Sequence, residues 1–195
     1  MNFPFEKEIM LENSSALLRP LQFSDINNLL KIATEDKQLL QYSPLPIFSE
    51  KLLTEYVEKS IKERENKTRY SFTIFDKRKN SYAGSTSFMN ISNVDSRIEI
   101  GSTWIGKEFQ RTGLNRSCKY LLLSFAFDEV GAERIELKTD ERNIASRNAI
   151  QKIGGQFEGV LRSHTLMYDG FRRNTVYYSI LKNEWDKLKN GFLKE

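Results

Sequence analysis

The spacing of the apolar residues changes abruptly in the middle of the chain, and this change limits the folds open to it. Between Tyr70 and Trp104, short runs rich in β-branched and aromatic residues alternate with turn-like segments, which predicts an antiparallel meander. From Leu114 to Ala126 the apolar residues recur at helical spacing, and Gly131 provides a stop. A meander followed by a long amphipathic helix predicts a mixed α/β fold.

The same reasoning assigns elements to the rest of the chain. Strands are predicted at residues 16–20, 70–75, 82–89, 97–104, 134–139, 156–161 and 175–181. Helices are predicted to begin near residues 25, 49, 114, 144 and 184. The order is β-α-α-β-β-β-α-β-α-β-β without long linkers or internal repeats, so we predict one domain over residues 1–195.

Composition and charge narrow the possible partners and the compartment. Apolar residues make up 39% of the chain, which indicates a folded globule. The net charge of +4 comes from residues scattered along the sequence, so we expect no nucleic-acid partner. No apolar run reaches membrane-spanning length, and we expect no membrane association and a cytoplasmic location. Cys118 is the only cysteine and falls within a helical pattern, which predicts a buried thiol.

The segment Gln110-Arg111-Thr112-Gly113-Leu114-Asn115 lies between a predicted strand and a predicted helix. At such a position, unpaired backbone N–H groups and the positive end of the helix dipole favour a phosphate group. Gly113 would let the backbone approach an anion closely, and Arg111 would add a charge-assisted contact. One glycine before a helix is also typical of an ordinary loop, so the segment alone does not decide the ligand.

Three segments together resemble the GNAT acetyltransferase superfamily, and most closely its ribosomal-protein N-terminal acetyltransferase branch. They are Glu99-Ile100-Gly101 leading to Trp104, the Gln-x-x-Gly loop at residues 110–113, and the stretch of residues 140–159 that contains Asn143, Ser146 and Gly154-Gly155. Leu18-Arg19-Pro20-Leu21 also fits this branch, so the resemblance extends over most of the chain. Asn115 departs from the superfamily, which usually has Gly or Ala at that position.

The resemblance implies a three-layer fold, with helices flanking a central twisted mixed sheet of about seven strands. Two parallel strands, 97–104 and 134–139, would splay apart and admit the pantetheine arm of acetyl-coenzyme A (acetyl-CoA), the expected co-substrate. The expected contacts to acetyl-CoA come from the strand end, the phosphate loop and the start of the next helix. They are Trp104, Ile105, Gln110, Arg111, Thr112, Gly113, Leu114, Asn115, Arg116, Asn143 and Ser146.

Proton transfer requires two kinds of group. The resemblance places Ser146 beside the sulfur, where it would protonate the departing thiolate, with Tyr177 and Tyr178 as alternatives. An aliphatic ammonium has a pKa near 10.4, so an amine acceptor needs help to lose a proton. Glu99 on its strand and His164 on a predicted loop are the candidate bases. Spacing alone gives each residue a structural alternative: a helix cap for Asn143, a polar helix residue for Ser146, a strand ion pair for Glu99 and an idle surface position for His164.

The predicted activity is direct N-acetylation of a primary amine, either a protein N-terminus or a small molecule, in a ternary complex without a metal ion. Trp104, Phe88 and Tyr168 either line the acceptor pocket or belong to the core. Two other functions stay open: a non-catalytic acyl-CoA sensor of the same fold, and a transferase that uses the loop for a different nucleotide. The chain is expected to be a monomer or a homodimer.

Overall fold

A computed structural model describes residues 1–192 as one mixed sheet of eight strands with helices on both faces. The strands are β1 (Leu11–Glu12), β2 (Ala16–Pro20), β3 (Arg69–Asp76), β4 (Ser81–Ser92), β5 (Arg97–Ile105), β6 (Arg134–Asp140), β7 (Gln156–Leu166) and β8 (Arg172–Leu181). The helices are α1 (Asp25–Glu35), α2 (Glu50–Glu65), α3 (Leu114–Ser124), α4 (Ile144–Lys152) and α5 (Lys182–Phe192).

The strands follow the order β1-β2-β3-β4-β5-β6-β8-β7. Every neighbouring pair is antiparallel except β5 and β6, which run parallel and are linked through α3. The predicted mixed fold with one central parallel pair is therefore confirmed. The additional strand is β1, whose two residues are too short to give a recognisable alternation.

Successive residues of β4 identify which helices cover each face of the sheet, because neighbouring strand residues point in opposite directions. The hydroxyl of Ser85 lies 3.1 Å from the hydroxyl of Tyr56 on α2. The ring of Phe88 instead lies 5.9 Å from that of Phe125, in the turn that follows α3. The α2 face and the α3 face are thus opposite sides of one sheet, as a three-layer fold requires.

Phe88 belongs to the hydrophobic core. Its side chain is fully buried and its ring contacts Phe3, Phe72 and Phe125. The interpretation of Phe88 as a core aromatic is therefore the right one, and it does not line an acceptor pocket. None of the helices within residues 1–192 is both long and apolar enough to cross a bilayer.

Several boundaries differ from the sequence prediction, and two of the differences have a clear local reason. The helix that starts at Leu114 ends in a wider π-type turn at Phe125–Glu129, before Gly131 takes a left-handed φ of 76° and stops it. Strand β7 continues to Leu166, although it was predicted to stop at residue 161. Two bulges in β7 interrupt its alternation, and Ser163 with φ of 50° lies in the second, so period two is lost.

Candidate active site

Strands β5 and β6 separate after a short stretch of pairing. Three rungs join Arg97–Glu99 to Arg134–Glu136. Beyond them β5 continues to Ile105 and β6 to Asp140, and no further rung joins the two within the described part of the chain. The predicted splayed pair is thus present, and it leaves a wedge between two strands whose facing backbone groups have no partner from the other strand.

A bulge in β5 lies at the edge of this wedge. Ser102 has a left-handed φ of 48°, and the pairing with β4 shifts at this point, from Ser87–Gly101 to Ser85–Trp104. On β4, Gly84 makes the close packing possible, since a Cβ there would lie 2.0 Å from the carbonyl oxygen of Trp104. The backbone of β5 at the edge of the wedge can therefore take this course only because residue 84 has no side chain.

The loop after β5 presents backbone N–H groups at the start of α3. Gln110 donates a side-chain hydrogen bond to the carbonyl of Ile105 at 3.0 Å, and this ties the loop to the end of the strand. Gly113 caps α3 with φ of 85°, and the first helical hydrogen bond runs from Ser117 N–H to its carbonyl at 3.0 Å. Amides in the first turn consequently lack helical acceptors and face outward with the helix dipole.

Two arginines and a threonine shape the same loop. Arg111 is exposed and has φ of 60°, so the chain turns sharply at it. The hydroxyl of Thr112 donates to the carbonyl of Phe109 at 2.7 Å, and Arg78 donates to the carbonyl of Thr112 at 2.9 Å. Arg78 in turn pairs with buried Asp76 at 2.9 Å, which fixes the loop to the end of β3.

The side chains in the first turn of α3 have different surroundings. Leu114 is fully buried and anchors the helix. The side-chain oxygen of Asn115 is buried and accepts no hydrogen bond within residues 1–192. Arg116 reaches toward α5, donating to the carbonyl of Gly191 at 3.0 Å. The guanidinium of Arg116 is thus directed away from the loop.

Helix α4 begins beside the carboxyl end of β6. Asn143 caps it by accepting a hydrogen bond from the backbone N–H of Ser146 at 3.0 Å. Its capping role is therefore observed, and it leaves the Ser146 hydroxyl uninvolved in the cap. Asp140, at the end of β6, is buried, but paired Arg142 lowers the pKa of Asp140 despite that burial.

Contacts join the residues that follow β6, the β7–β8 turn and the α1–α2 connection. Arg142 lies 3.9 Å from the ring centroid of Phe171 in the β7–β8 turn. Arg173 donates to the carbonyl of Tyr42, in the α1–α2 connection, at 2.8 Å. Tyr168 contacts Phe48 of the same connection, with ring centroids 6.2 Å apart. These contacts hold the β7–β8 turn against the α1–α2 connection.

The two tyrosines of β8 lie on opposite faces of the sheet. Tyr178 is fully buried, and its hydroxyl accepts a hydrogen bond from Arg147 of α4 at 3.3 Å. Tyr177 is half-buried and faces the other way, with the ammonium of Lys138 lying 5.9 Å from its ring centroid. Tyr178 therefore shares a side with α4 and Ser146, and Tyr177 shares a side with the candidate bases.

Glu99 is buried on the α2 face and already has polar partners. Its carboxylate lies 2.9 Å from the ammonium of Lys138 and accepts a hydrogen bond from Asn90 at 2.7 Å. It therefore occupies the strand ion pair considered as its structural alternative.

His164 lies on strand β7 and not on the loop predicted for it, because β7 extends through the second bulge. Its side chain is exposed, and Nδ1 lies 3.1 Å from the hydroxyl of Thr175. Its ring meets that of Tyr177 edge-on at 5.8 Å. Tyr177 thus separates His164 from the Lys138–Glu99 pair, and the structure brings both candidate bases to one face.

A family model for the acetyltransferase (GNAT) domain matches residues 16–156, most of the chain. The chain belongs to the GNAT acetyltransferase family. A Bacillus subtilis protein named "Putative ribosomal N-acetyltransferase YdaF" is 35% identical over 109 residues, which cover 56% of this chain and 58% of that protein. A second B. subtilis protein, "Probable N-acetyltransferase YjcK", is 25% identical over 163 residues, covering 80% of this chain and 88% of that protein.

Solved structures agree with this family assignment. A GCN5-related N-acetyltransferase from Brucella melitensis superposes with a TM-score of 0.89 at 25% identity, covering 96% of this chain and 85% of that chain. The predicted likeness to the GNAT superfamily and its ribosomal branch is thereby confirmed. The chain spans little more than half the length of YdaF, so what that name says of substrate remains a statement about YdaF.

GNAT enzymes use acetyl-CoA as co-substrate, and the donors of this GNAT chain fit such a molecule. The N–H groups at the start of α3 would suit an anion, and the strand edges of the wedge would suit an extended arm with amide groups.

Sequence reasoning missed several buried cations of this GNAT domain, and two of them contact β5. Lys119 on α3 donates to Thr103 at 2.8 Å, and burial lowers the pKa of Lys119 to about 8. Arg69 at the start of β3 is 3% exposed and reaches Ser102 in the bulge at 2.9 Å. Neither position carries a sequence signal, because a basic residue at a strand start or on a helix is ordinarily solvent-exposed.

Proposed function

We propose that this chain is a single-domain N-acetyltransferase that transfers acetyl from acetyl-CoA to a primary amine. The observation that carries the proposal is the wedge between β5 and β6, which opens beside the start of α3. A cleft with free strand edges at one end and helix N–H groups at the other suits an extended thioester cofactor. Family membership supports acetyl transfer as the chemistry.

The proposed co-substrate site uses mostly main-chain atoms. Backbone groups of Trp104 and Ile105 would pair with the pantetheine arm, and N–H groups of residues 111–116 would bind the diphosphate. A backbone N–H near Trp104 would polarise the acetyl carbonyl. Gln110 supports this arrangement from its hydrogen bond to Ile105.

The proposed chemistry is direct attack in a ternary complex. The amine nitrogen bonds to the acetyl carbon, the carbon–sulfur bond breaks, and the thiolate leaves with the proton that Ser146 supplies. The proton lost by the amine passes to Glu99 or His164, which approach the acceptor side from either side of Tyr177. A covalent acyl-enzyme is not part of the proposal, since the one cysteine, Cys118, is buried and its pKa is raised to about 12.

The named relative suggests which acceptors to test first. Because YdaF is named as a ribosomal N-acetyltransferase, protein N-termini are the first acceptors to test, and small-molecule amines are the second. A non-catalytic acyl-CoA sensor is the competing function. The observation that favours it is the engagement of Glu99 by Lys138 and Asn90, which occupies one of the two candidate bases.

Thiol release separates these functions. Purified protein is incubated with acetyl-CoA and a panel of peptide N-termini, polyamines, amino acids and aminoglycosides, and free coenzyme A is measured. An acetyltransferase releases coenzyme A with at least one amine and yields the acetylated product by mass spectrometry. Binding of acetyl-CoA without release for any acceptor would instead support the sensor, and failure to bind acetyl-CoA would reject both.

A further inference from the structure

Arg69 is a buried cation that connects α2 with three neighbouring strands. Its Nε donates to the hydroxyl of Ser87 at 3.0 Å, and Nη2 donates to the hydroxyls of Tyr56 at 3.1 Å and Ser102 at 2.9 Å. Nη1 reaches the carboxylate of Glu63 at 3.3 Å. A guanidinium is costly to bury, and this one is retained with every nitrogen hydrogen-bonded.

Tyr56 takes part in the same buried cluster. Its hydroxyl lies 3.1 Å from that of Ser85, and its ring packs edge-on against Trp104 with centroids 6.2 Å apart. Burial alone would raise the pKa of this phenol, but the charge of Arg69 and the neighbouring hydroxyl groups lower it overall. Arg69, Tyr56 and the serine hydroxyls thus form one buried hydrogen-bonded cluster that contacts β5 through Ser102.

Ser102 is the member of the cluster that borders the wedge. Its φ of 48° is left-handed, a conformation that costs a non-glycine residue roughly 1–2 kcal/mol unless its surroundings hold it. Arg69 donates a hydrogen bond to its hydroxyl at 2.9 Å, and the phenol of Tyr56 is a second hydrogen-bonding neighbour. The contact therefore ties the strained residue to a rigid group two strands away.

We propose that Arg69 is a positioning residue for acyl transfer: through Ser102 it holds the bulge of β5 that directs the backbone around Trp104 toward the wedge. The inference rests on the proposed function, since the bulge matters only if that backbone meets the thioester. Arg69 itself touches neither the wedge nor the loop at α3. Replacing Arg69 should therefore lower the rate of the chemical step and leave diphosphate binding nearly unchanged.

The test is a double-mutant cycle on Arg69 and Ser102. In Arg69→Met the fork of donors is lost, and in Ser102→Gly the acceptor is lost while the left-handed conformation stays accessible. Each single variant should lower kcat at least ~10-fold and change the dissociation constant for acetyl-CoA, measured by calorimetry, less than ~3-fold. Because both act through one contact, the double variant should be no slower than the slower single variant.

Ser71→Ala is the matched control. Ser71 bonds to Ser87 at 3.0 Å in the same buried cluster but does not contact Arg69 or Ser102. It should lower the melting temperature slightly and leave kcat unchanged. Arg69→Lys, which keeps the charge but loses the fork, should recover part of the lost kcat if one donor still reaches Ser102.

Several results would overturn the inference. They are a kcat within twofold of wild type in Arg69→Met, a double variant whose losses multiply, or a crystal structure of Arg69→Met with the bulge and wedge unchanged. The crystal structure gives this answer even if no amine is acetylated. An inactive wild-type protein is a failure of the proposed function, whereas an active one with unaffected variants is a failure of the positioning role alone.

Discussion

At the scale of the residue, Asn143 and Ser146 have separable tasks although they lie three positions apart. The cap uses the side chain of Asn143 and the backbone of Ser146. The Ser146 hydroxyl is free of that duty, so a substitution there tests chemistry with little effect on the helix. Asn143 forms the cap with its side chain, so a substitution there is expected to lower the stability of the helix.

Ser146→Ala should lower kcat roughly 100-fold, which is at the low end of general acid catalysis because a thiol leaves readily. Its melting temperature should stay within about 1 °C of wild type, since the cap is intact. Asn143→Ala is the paired variant and should lose about 1 kcal/mol of stability, or roughly 2–4 °C. Coenzyme A release and thermal unfolding measure the two effects. Full turnover in Ser146→Ala would remove Ser146 from the mechanism.

Lys119→Met should stabilise the protein at neutral pH by up to about 3 kcal/mol. Burial lowers the folded-state pKa of Lys119 from 10.5 to about 8, so between these values the folded state binds fewer protons than the unfolded state. Wild-type stability therefore rises with pH across this window, and the advantage of the variant shrinks toward pH 10.5. Urea unfolding at pH 7, 8.5 and 10 measures this. An advantage that does not change with pH would contradict it.

At the scale of the element, α1 is fixed to the sheet by one buried ion pair. Asp25 in its first turn lies 2.6 Å from Arg19 of β2 and accepts a hydrogen bond from Thr73 of β3 at 2.6 Å. Burial raises the pKa of Asp25, but Arg19 and the hydrogen bonds lower it overall. The pair thus fixes the start of α1 to strands β2 and β3.

Asp25→Asn should destabilise the protein at pH 7 by about 3–5 kcal/mol, because Arg19 loses its anionic partner in a buried site. The folded-state pKa of Asp25 is lowered, so the stability from its charge is present above pH ~4 and is lost as the pH falls below that value. The difference in melting temperature between wild type and Asp25→Asn should therefore be smaller at pH 3 than at pH 7. An equal difference at both pH values would mean that the charge of Asp25 contributes nothing to stability.

The element scale also separates what sequence pattern can and cannot reveal. Apolar spacing located β5 and the start of α3 to within about a residue, because each buries an apolar face. Gly154 and Gly155 located the end of α4 as closely. Strand β7 was underestimated since its bulges disrupt period two, and this misplaced His164 on a loop. The cap at Asn143 was foreseeable from local chemistry. The contacts of Arg69 were not, because Tyr56, Ser87 and Ser102 meet it only after the sheet has formed.

At the scale of the whole molecule, one hydrophobic cluster runs from Phe3 near the start to Trp185 in α5. It includes residues from both sides of the splayed pair, such as Ile98 on β5 and Ile135 on β6. A continuous core of this kind favours cooperative unfolding as one unit. We therefore expect the wedge to be an opening within one cooperatively folded unit.

Scanning calorimetry should accordingly give a single unfolding transition whose calorimetric and van't Hoff enthalpies agree. Acetyl-CoA at about 100 times its dissociation constant should add ~2.7 kcal/mol and raise the melting temperature by roughly 5–10 °C. ATP at the same concentration is the control and should shift it less, since it has no pantetheine arm to fill the wedge. Two transitions, or equal shifts with both ligands, would contradict this expectation.

The three-rung ladder between β5 and β6 has a consequence for how the protein takes up its ligand. If acetyl-CoA binds in the wedge as proposed, it does not have to separate paired strands, because β5 and β6 share no rung beyond Glu99 and Glu136 among the described residues. The edges of β5 and β6 beyond the ladder therefore offer hydrogen-bonding groups to a molecule with peptide-like linkages, in the direction in which a further strand would run.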